Sequence, residues 1–258
     1  MALDRIARKI SVILFDLGFT LINFEGDFQQ VMRESHLALV DSLIKSGYPL
    51  DRNSFAEKFN EIISDYYRAR AIDMIERPVE GNLQKTLSLF GLNQLPDQDL
   101  QAAVEAMYTY TEMWWKIEPD THETLSQLKE LGYRLAMISN ASNAPDLNRL
   151  IDNHRLRDYF ELVVISADEG IRKPDPRIFA NTLARLGASA ENAIMVGDTL
   201  PADILGAKMS NIKSVWVTRR ANRAENNELV DLIKPDHAIS DLSSLIPLMR
   251  QLNPASSL

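Results

Sequence analysis

The first apolar run of the chain, Ser11 to Asp16, is short and rich in Val, Ile, Leu and Phe, the pattern of a strand buried on both faces of a parallel sheet. From about Glu25 to Trp115 the texture changes to helical periodicity. Phe28, Val31, Met32, Leu39, Leu43 and Ile44 recur mostly at three- and four-residue steps until Gly47 and Pro49 stop the helix. Phe55, Phe59, Ile62, Ile63 and Tyr66 mark a second helix, with Asn53 or Ser54 as its cap. Leu83, Leu87 and Phe90 suggest a short third helix ended by Gly91, and Leu100, Val104, Met107, Thr111 and Trp114 a fourth. Four helices with no strand between them fit a small bundle. So long a stretch cannot be a loop, and it reads as an inserted domain over residues 24–115.

After Pro119 helix and strand alternate. A helix carrying Leu125, Leu128 and Leu131 stops at Gly132, and a strand runs Tyr133 to Ser139. Further strands are expected at Leu162 to Ile165, Ala193 to Val196 and Ser214 to Val217, with a weak one at His237 to Ile239. Helices fall between them at Ala144 to Asn153, Asp175 to Leu186 and Ala202 to Met209, and a last helix closes the chain. Repeated strand–helix units imply a parallel sheet with right-handed crossovers and helices on both faces. Residues 1–23 and 116–258 would form this α/β core, with Pro254 to Leu258 frayed at the end.

Composition narrows the function classes. The 258 residues are 45% apolar and 25% charged, ordinary globular values that argue against wholesale disorder. A net charge of −8 argues against nucleic-acid or anionic-membrane partners, although a local basic patch could still bind a small anion. With no cysteine, disulfides, thiol nucleophiles and Cys-based zinc sites are excluded. Arg5, Arg8 and Lys9 precede an apolar run, but that run is short, Asp16 ends it and no small-residue cleavage site follows. It therefore reads as a strand and not a signal peptide. No stretch approaches the length of a membrane span, so a cytoplasmic protein is expected. Oligomeric state is not legible.

In open α/β sheets ligands sit beyond the carboxyl ends of the strands. Four such ends carry polar residues here: Asp16 with Thr20, Ser139 with Asn140, the loop Ile171 to Pro174 containing Lys173, and Gly197–Asp198 with Asp203. Asp16 interrupts an apolar strand, where an unpaired charge is costly. Asp203 is less distinctive, because an aspartate early in a helix is favoured by the macrodipole. Ser139 and Thr20 could be turn hydroxyls. Trp114 and Trp115 read as packing residues, and Arg172, Arg219 and Arg220 as solvated surface.

These strings resemble the haloacid dehalogenase superfamily of hydrolases over nearly the whole chain. FDLGFTL is similar to its first motif, led by the nucleophilic aspartate, Asp16. MISN is similar to the second, with Ser139. RKPDPRIF is similar to the third, with Lys173, and VGDTLPADILGA to the fourth, with Asp198 and Asp203. The resemblance implies a Rossmann-like core with a helical C1-type cap, and Mg²⁺-dependent hydrolysis of a small phosphorylated metabolite through an aspartyl-phosphate on Asp16. Asp16, Asp198 and the carbonyl of Gly18 would hold the metal, matching the preference of Mg²⁺ for hard oxygen ligands. Lys173 would neutralise the nucleophile and the phosphoryl oxygens. Thr20, Ser139 and Asn140 would contact the phosphate, and Asp203 would orient Lys173 or a metal-bound water.

One position departs from that pattern. Gly18 stands where the typical phosphatase carries a second aspartate, the general acid and base, whose contribution is typically about 10²–10⁴-fold. The expectation is a slow site, a preference for good leaving groups, or a substitute acid among Glu25, Asp27 and His36. A phosphate-binding module without turnover and a 2-haloacid dehalogenase are the alternatives.

Overall fold

The structure is a computed structural model and describes residues 9–254. Strands β1 (Val12–Phe15) and β2 (Ile22–Phe24) are followed by helices α1 (Phe28–Lys45), α2 (Arg52–Asp73), α3 (Val79–Leu89) and α4 (Asp97–Glu112). Then come β3 (Trp115–Ile117), α5 (Thr121–Glu130), β4 (Arg134–Ser139), α6 (Ala144–Asn153), β5 (Leu162–Ile165), the short α7 (Ser166–Glu169) and α8 (Pro176–Leu186). The chain continues through β6 (Ala193–Gly197), α9 (Leu205–Met209), β7 (Lys213–Val217), α10 (Ala224–Asn227), β8 (His237–Ile239) and α11 (Leu245–Leu252). The reading of the N-terminal stretch as no signal peptide rests partly on residues 1–8, and the fraying expected at the end on 255–258, which lie outside the described residues.

Six strands form one parallel sheet in the order β5-β4-β1-β6-β7-β8. β1 lies between β4 and β6, with Phe15 level with Met137 on one side and Val196 on the other. Its alternate residues feed two cores. Ile13 and Phe15 join a cluster with Leu125, Leu128, Leu147 and Leu245 from α5, α6 and α11. Val12 and Leu14 join Ile178, Phe179, Leu183 and Ala207 from α8 and α9 on the other face. Burial on both faces explains the unbroken apolar run, because side chains alternate across the sheet.

The four helices α1–α4 bury a third cluster of their own, including Leu39, Leu43, Phe55, Phe59, Leu83, Leu87, Val104 and Met107. The cap of α2 is Asp51, whose Oδ1 accepts the Ser54 N–H at 2.9 Å, rather than Asn53 or Ser54. An aspartate carboxylate just ahead of the first turn satisfies an amide that the helix cannot. The helix expected from Ala202 begins earlier, as a π-helical turn over Leu200–Ile204 that runs into α9. Thr199 O there accepts from the amides of both Asp203 and Ile204.

Two strands carry no sequence signal. β2 and β3 pair antiparallel where the chain leaves for α1 and returns from α4, with Phe24 level with Trp115. Three residues are too few for a period, so only the pairing reveals them.

Candidate active site

The sheet brings four strand ends together. β1 delivers Asp16, β4 delivers Ser139, the turn after α7 delivers Lys173, and β6 delivers Asp198. Lys173 is buried and its Nζ donates to Asp16 Oδ1 and to Asp203 Oδ1, each at 2.7 Å. Asp203 Oδ2 accepts from the Thr199 N–H at 3.0 Å and the Thr199 hydroxyl at 2.8 Å. Asp203 fits beneath the β6 end because residue 197 is glycine, where an added Cβ would lie 2.3 Å from the Asp203 carboxyl carbon.

Carboxylate oxygens of Asp16, Asp198 and Asp203 lie within 4.8 Å of one another, and all three residues are buried. Burial, partly opposed by the Lys173 ammonium and reinforced by Asp203, raises the Asp16 carboxyl to about 6. Burial, reinforced by Asp16 and Asp203, pushes Asp198 well above the usual carboxylate range. Burial alone would depress Lys173, but the two aspartates outweigh it and hold it charged. A crowd of buried carboxylates that resists full ionisation suits a hard divalent cation, which would complete the charge balance.

Thr20 is buried and donates to Asp16 Oδ2 at 3.2 Å, so its hydroxyl is directed at the nucleophile candidate. Asn140 braces the lysine loop: its Oδ1 accepts the Lys173 N–H and its Nδ2 donates to Lys173 O, both at 2.9 Å. Ser139 is buried at the end of β4, level with Ile165. Gly18 is half-buried beside the indole of Trp115, whose nearest atom would lie 3.5 Å from an added Cβ, an ordinary contact. Glu25 and Asp27 are exposed, and Asp27 Oδ1 caps Gln30 N at 2.9 Å. His36 is sealed against Phe59, ring centroids 5.0 Å apart.

The arginines named from sequence pair elsewhere. Arg219 holds Glu118 and Asp120, Arg220 holds Glu118, and Arg172 holds Glu76. Arg223 reaches the site instead, with Nη1 3.0 Å from Asp198 Oδ2 and its guanidinium over the Phe19 ring. Trp216 Nε1 and Asn226 Nδ2 both donate to the Asp198 carbonyl, at 2.9 and 3.0 Å. The one sequence hint to Arg223 is its place in the basic stretch just after a strand end.

The sequence model described as a haloacid dehalogenase-like hydrolase matches residues 10–211. The chain is similar to glyceraldehyde 3-phosphate phosphatase of Pyrococcus furiosus, 28% identical over 255 residues and covering 95% of each chain. It is similar in structure to a HAD phosphatase from Thermococcus onnurineus, with TM-score 0.63 and 25% identity over 93% of this chain and 98% of that one. It also shares its fold with a 2-haloacid dehalogenase from Pseudomonas syringae, with TM-score 0.67 and 24% identity over 94% and 99%.

Proposed function

The chain belongs to the haloacid dehalogenase-like hydrolase family, and within it we propose a Mg²⁺-dependent phosphatase of small phosphomonoesters that works through a phosphoryl group carried on Asp16. The observation that carries this reading is the Lys173 ammonium held at 2.7 Å from both Asp16 and Asp203, with Asp198 completing the carboxylate group. Phosphatase-named relatives support the reaction class.

Asp16 Oδ bonds to phosphorus as the bridging P–O bond breaks, and water then releases phosphate, so one hard hydrolysis becomes two easier steps. Lys173 keeps Asp16 ionised and neutralises phosphoryl oxygens that approach it. Asp203 and Thr199 fix the lysine, and Asn140 fixes its loop. Thr20 orients the Asp16 carboxylate, and Ser139 donates to the phosphate. Asp16, Asp198 and the Gly18 carbonyl would hold Mg²⁺, which would supply charge neutralisation for attack by an anion on an anion. Of the described residues, 9–23 and 116–254 would form the core and 24–115 a cap over it. The separate hydrophobic cluster of α1–α4 and the β2–β3 pair at its base support that division.

A dehalogenase would use the same aspartate on carbon, and a shared fold does not decide between them. Three buried carboxylates drawn within 4.8 Å support the metal-dependent reading, since so much negative charge in one place suits a divalent cation. Purified protein with p-nitrophenyl phosphate, with Mg²⁺ or EDTA, tests it. Turnover that needs Mg²⁺ and vanishes in Asp16→Asn is the expected result. Halide release in EDTA would favour the dehalogenase, and tight phosphate binding without turnover the non-catalytic module.

A further inference from the structure

The flank of Asp16 where a second acid–base group could sit holds Gly18, and the space beside it faces the Trp115 indole. Among the described residues, the carboxylates gathered with Asp16 are Asp198 and Asp203, and both are engaged. Lys173 and Thr199 take both oxygens of Asp203, and Arg223 takes Oδ2 of Asp198. His36 is sealed in the helical cluster, Asp27 caps α1, and Glu25 is exposed beyond β2.

The two chemical steps feel this differently. In the first, Asp16 Oδ bonds phosphorus and the electron pair of the broken P–O bond leaves with the departing oxygen. A phenolate, carboxylate or phosphate is stable as that anion and needs no proton. In the second, water bonds phosphorus, the P–Oδ pair returns to Asp16, and the water must lose a proton. Every substrate shares that second step, and residue 18 has no side chain to take that proton, a role typically worth about 10²–10⁴-fold.

Resting on the phosphatase reading, we infer that release of the phosphoryl group from Asp16 is the slow step, so that with donors whose leaving oxygen is stable as an anion the chain accumulates as a phospho-Asp16 enzyme. The favoured donors are acyl phosphates, phosphoanhydrides and aryl phosphates rather than alkyl esters. The phosphorylated chain persists long enough to be isolated.

Rapid-quench kinetics with p-nitrophenyl phosphate and Mg²⁺, followed by the intact mass of the acid-quenched protein, test this. The expected result is a stoichiometric burst of p-nitrophenol before a slower steady state, with the mass of one phosphoryl group added and lost in Asp16→Asn. Gly18→Asp, whose Cβ the site accommodates, abolishes the burst and raises the steady-state rate at least about tenfold. Gly18→Asn, of the same size but without a base, keeps the burst. Asp16-dependent turnover with neither burst nor added mass overturns this inference and leaves the phosphatase reading standing. Absence of both turnover and phosphorylation overturns the reading itself, and the inference with it.

Discussion

Arg223 donates from Nη1 to Asp198 Oδ2 at 3.0 Å while its guanidinium carbon sits 3.7 Å from the centre of the Phe19 ring. An arginine held over the nucleophile loop therefore already partly neutralises the aspartate proposed to bind a divalent cation. Like charges compete for one carboxylate. Arg223→Met should tighten Mg²⁺ binding at least about fivefold, roughly 1 kcal/mol, in titration calorimetry without substrate. Unchanged or weaker binding would show that the arginine places Asp198 more than it competes.

Lys173 offsets two buried carboxylates at once. Removing one partner of a buried ion pair typically costs about 3–5 kcal/mol, because the remaining charge is stranded. Lys173→Met should lower the unfolding free energy extrapolated from urea titration in EDTA by an amount in that range, and adding Asp203→Asn should recover part of it. If the second substitution only deepens the loss, Asp203 stabilises the fold by contacts other than the lysine.

His36 is 4% exposed, its Nδ1 has no hydrogen-bond partner, and burial lowers it from 6.5 to about 4. The unfolded chain binds this proton near pH 6.5 and the folded chain only near 4, so stability is full above 6.5 and falls as pH drops toward 4. The loss is about 3 kcal/mol across that window. His36→Phe should flatten the pH dependence of thermal unfolding between pH 6.5 and 4. An unaltered slope in the variant would move the acid sensitivity to other groups.

Glu76, between α2 and α3, sends a fully buried carboxylate into the core loops. It accepts from the Ser166 hydroxyl at 2.8 Å and pairs with Arg172 at 3.2 Å and Arg70 at 3.3 Å. Glu76 N–H and Arg172 N–H also bond backbone carbonyls across the junction, to Gly170 and Met74. Glu76→Ala leaves two arginines without their carboxylate and should cost about 2–4 kcal/mol. Hydrogen exchange at residues 74–78 and 170–172 should rise together. Exchange confined to one side would mean that the two segments are not coupled.

Gly18→Asp should raise turnover of alkyl phosphates more than of aryl phosphates, since both gain a base for the shared second step but only the alkoxide also needs a proton to leave. Steady-state rates on a matched pair of esters measure it. Equal gains would assign leaving-group protonation to a group already present.

The periodicities of the chain located β1, β4–β8 and helices α1–α4 to within a few residues, because burial on one face or two leaves a local trace. The polar residues at strand ends were legible for the same reason, as charges interrupting apolar runs. β2 and β3 were not, since a three-residue strand has no period and exists only through its partner.

Sequence by itself determined which side chains stand at the strand ends, and that position 18 offers no side chain at all. It could not determine who meets whom. Lys173 reaches Asp16 across 157 residues and Asp203 across 30 because β5, β4, β1 and β6 lie side by side. An alternating strand–helix pattern is compatible with many strand orders, and non-local burial selects among them. The same selection set Arg223 rather than Arg219 or Arg220 on Asp198, and Glu76 against Arg172. Ion pairs between distant segments depend on backbone placement, which no local pattern of residues encodes.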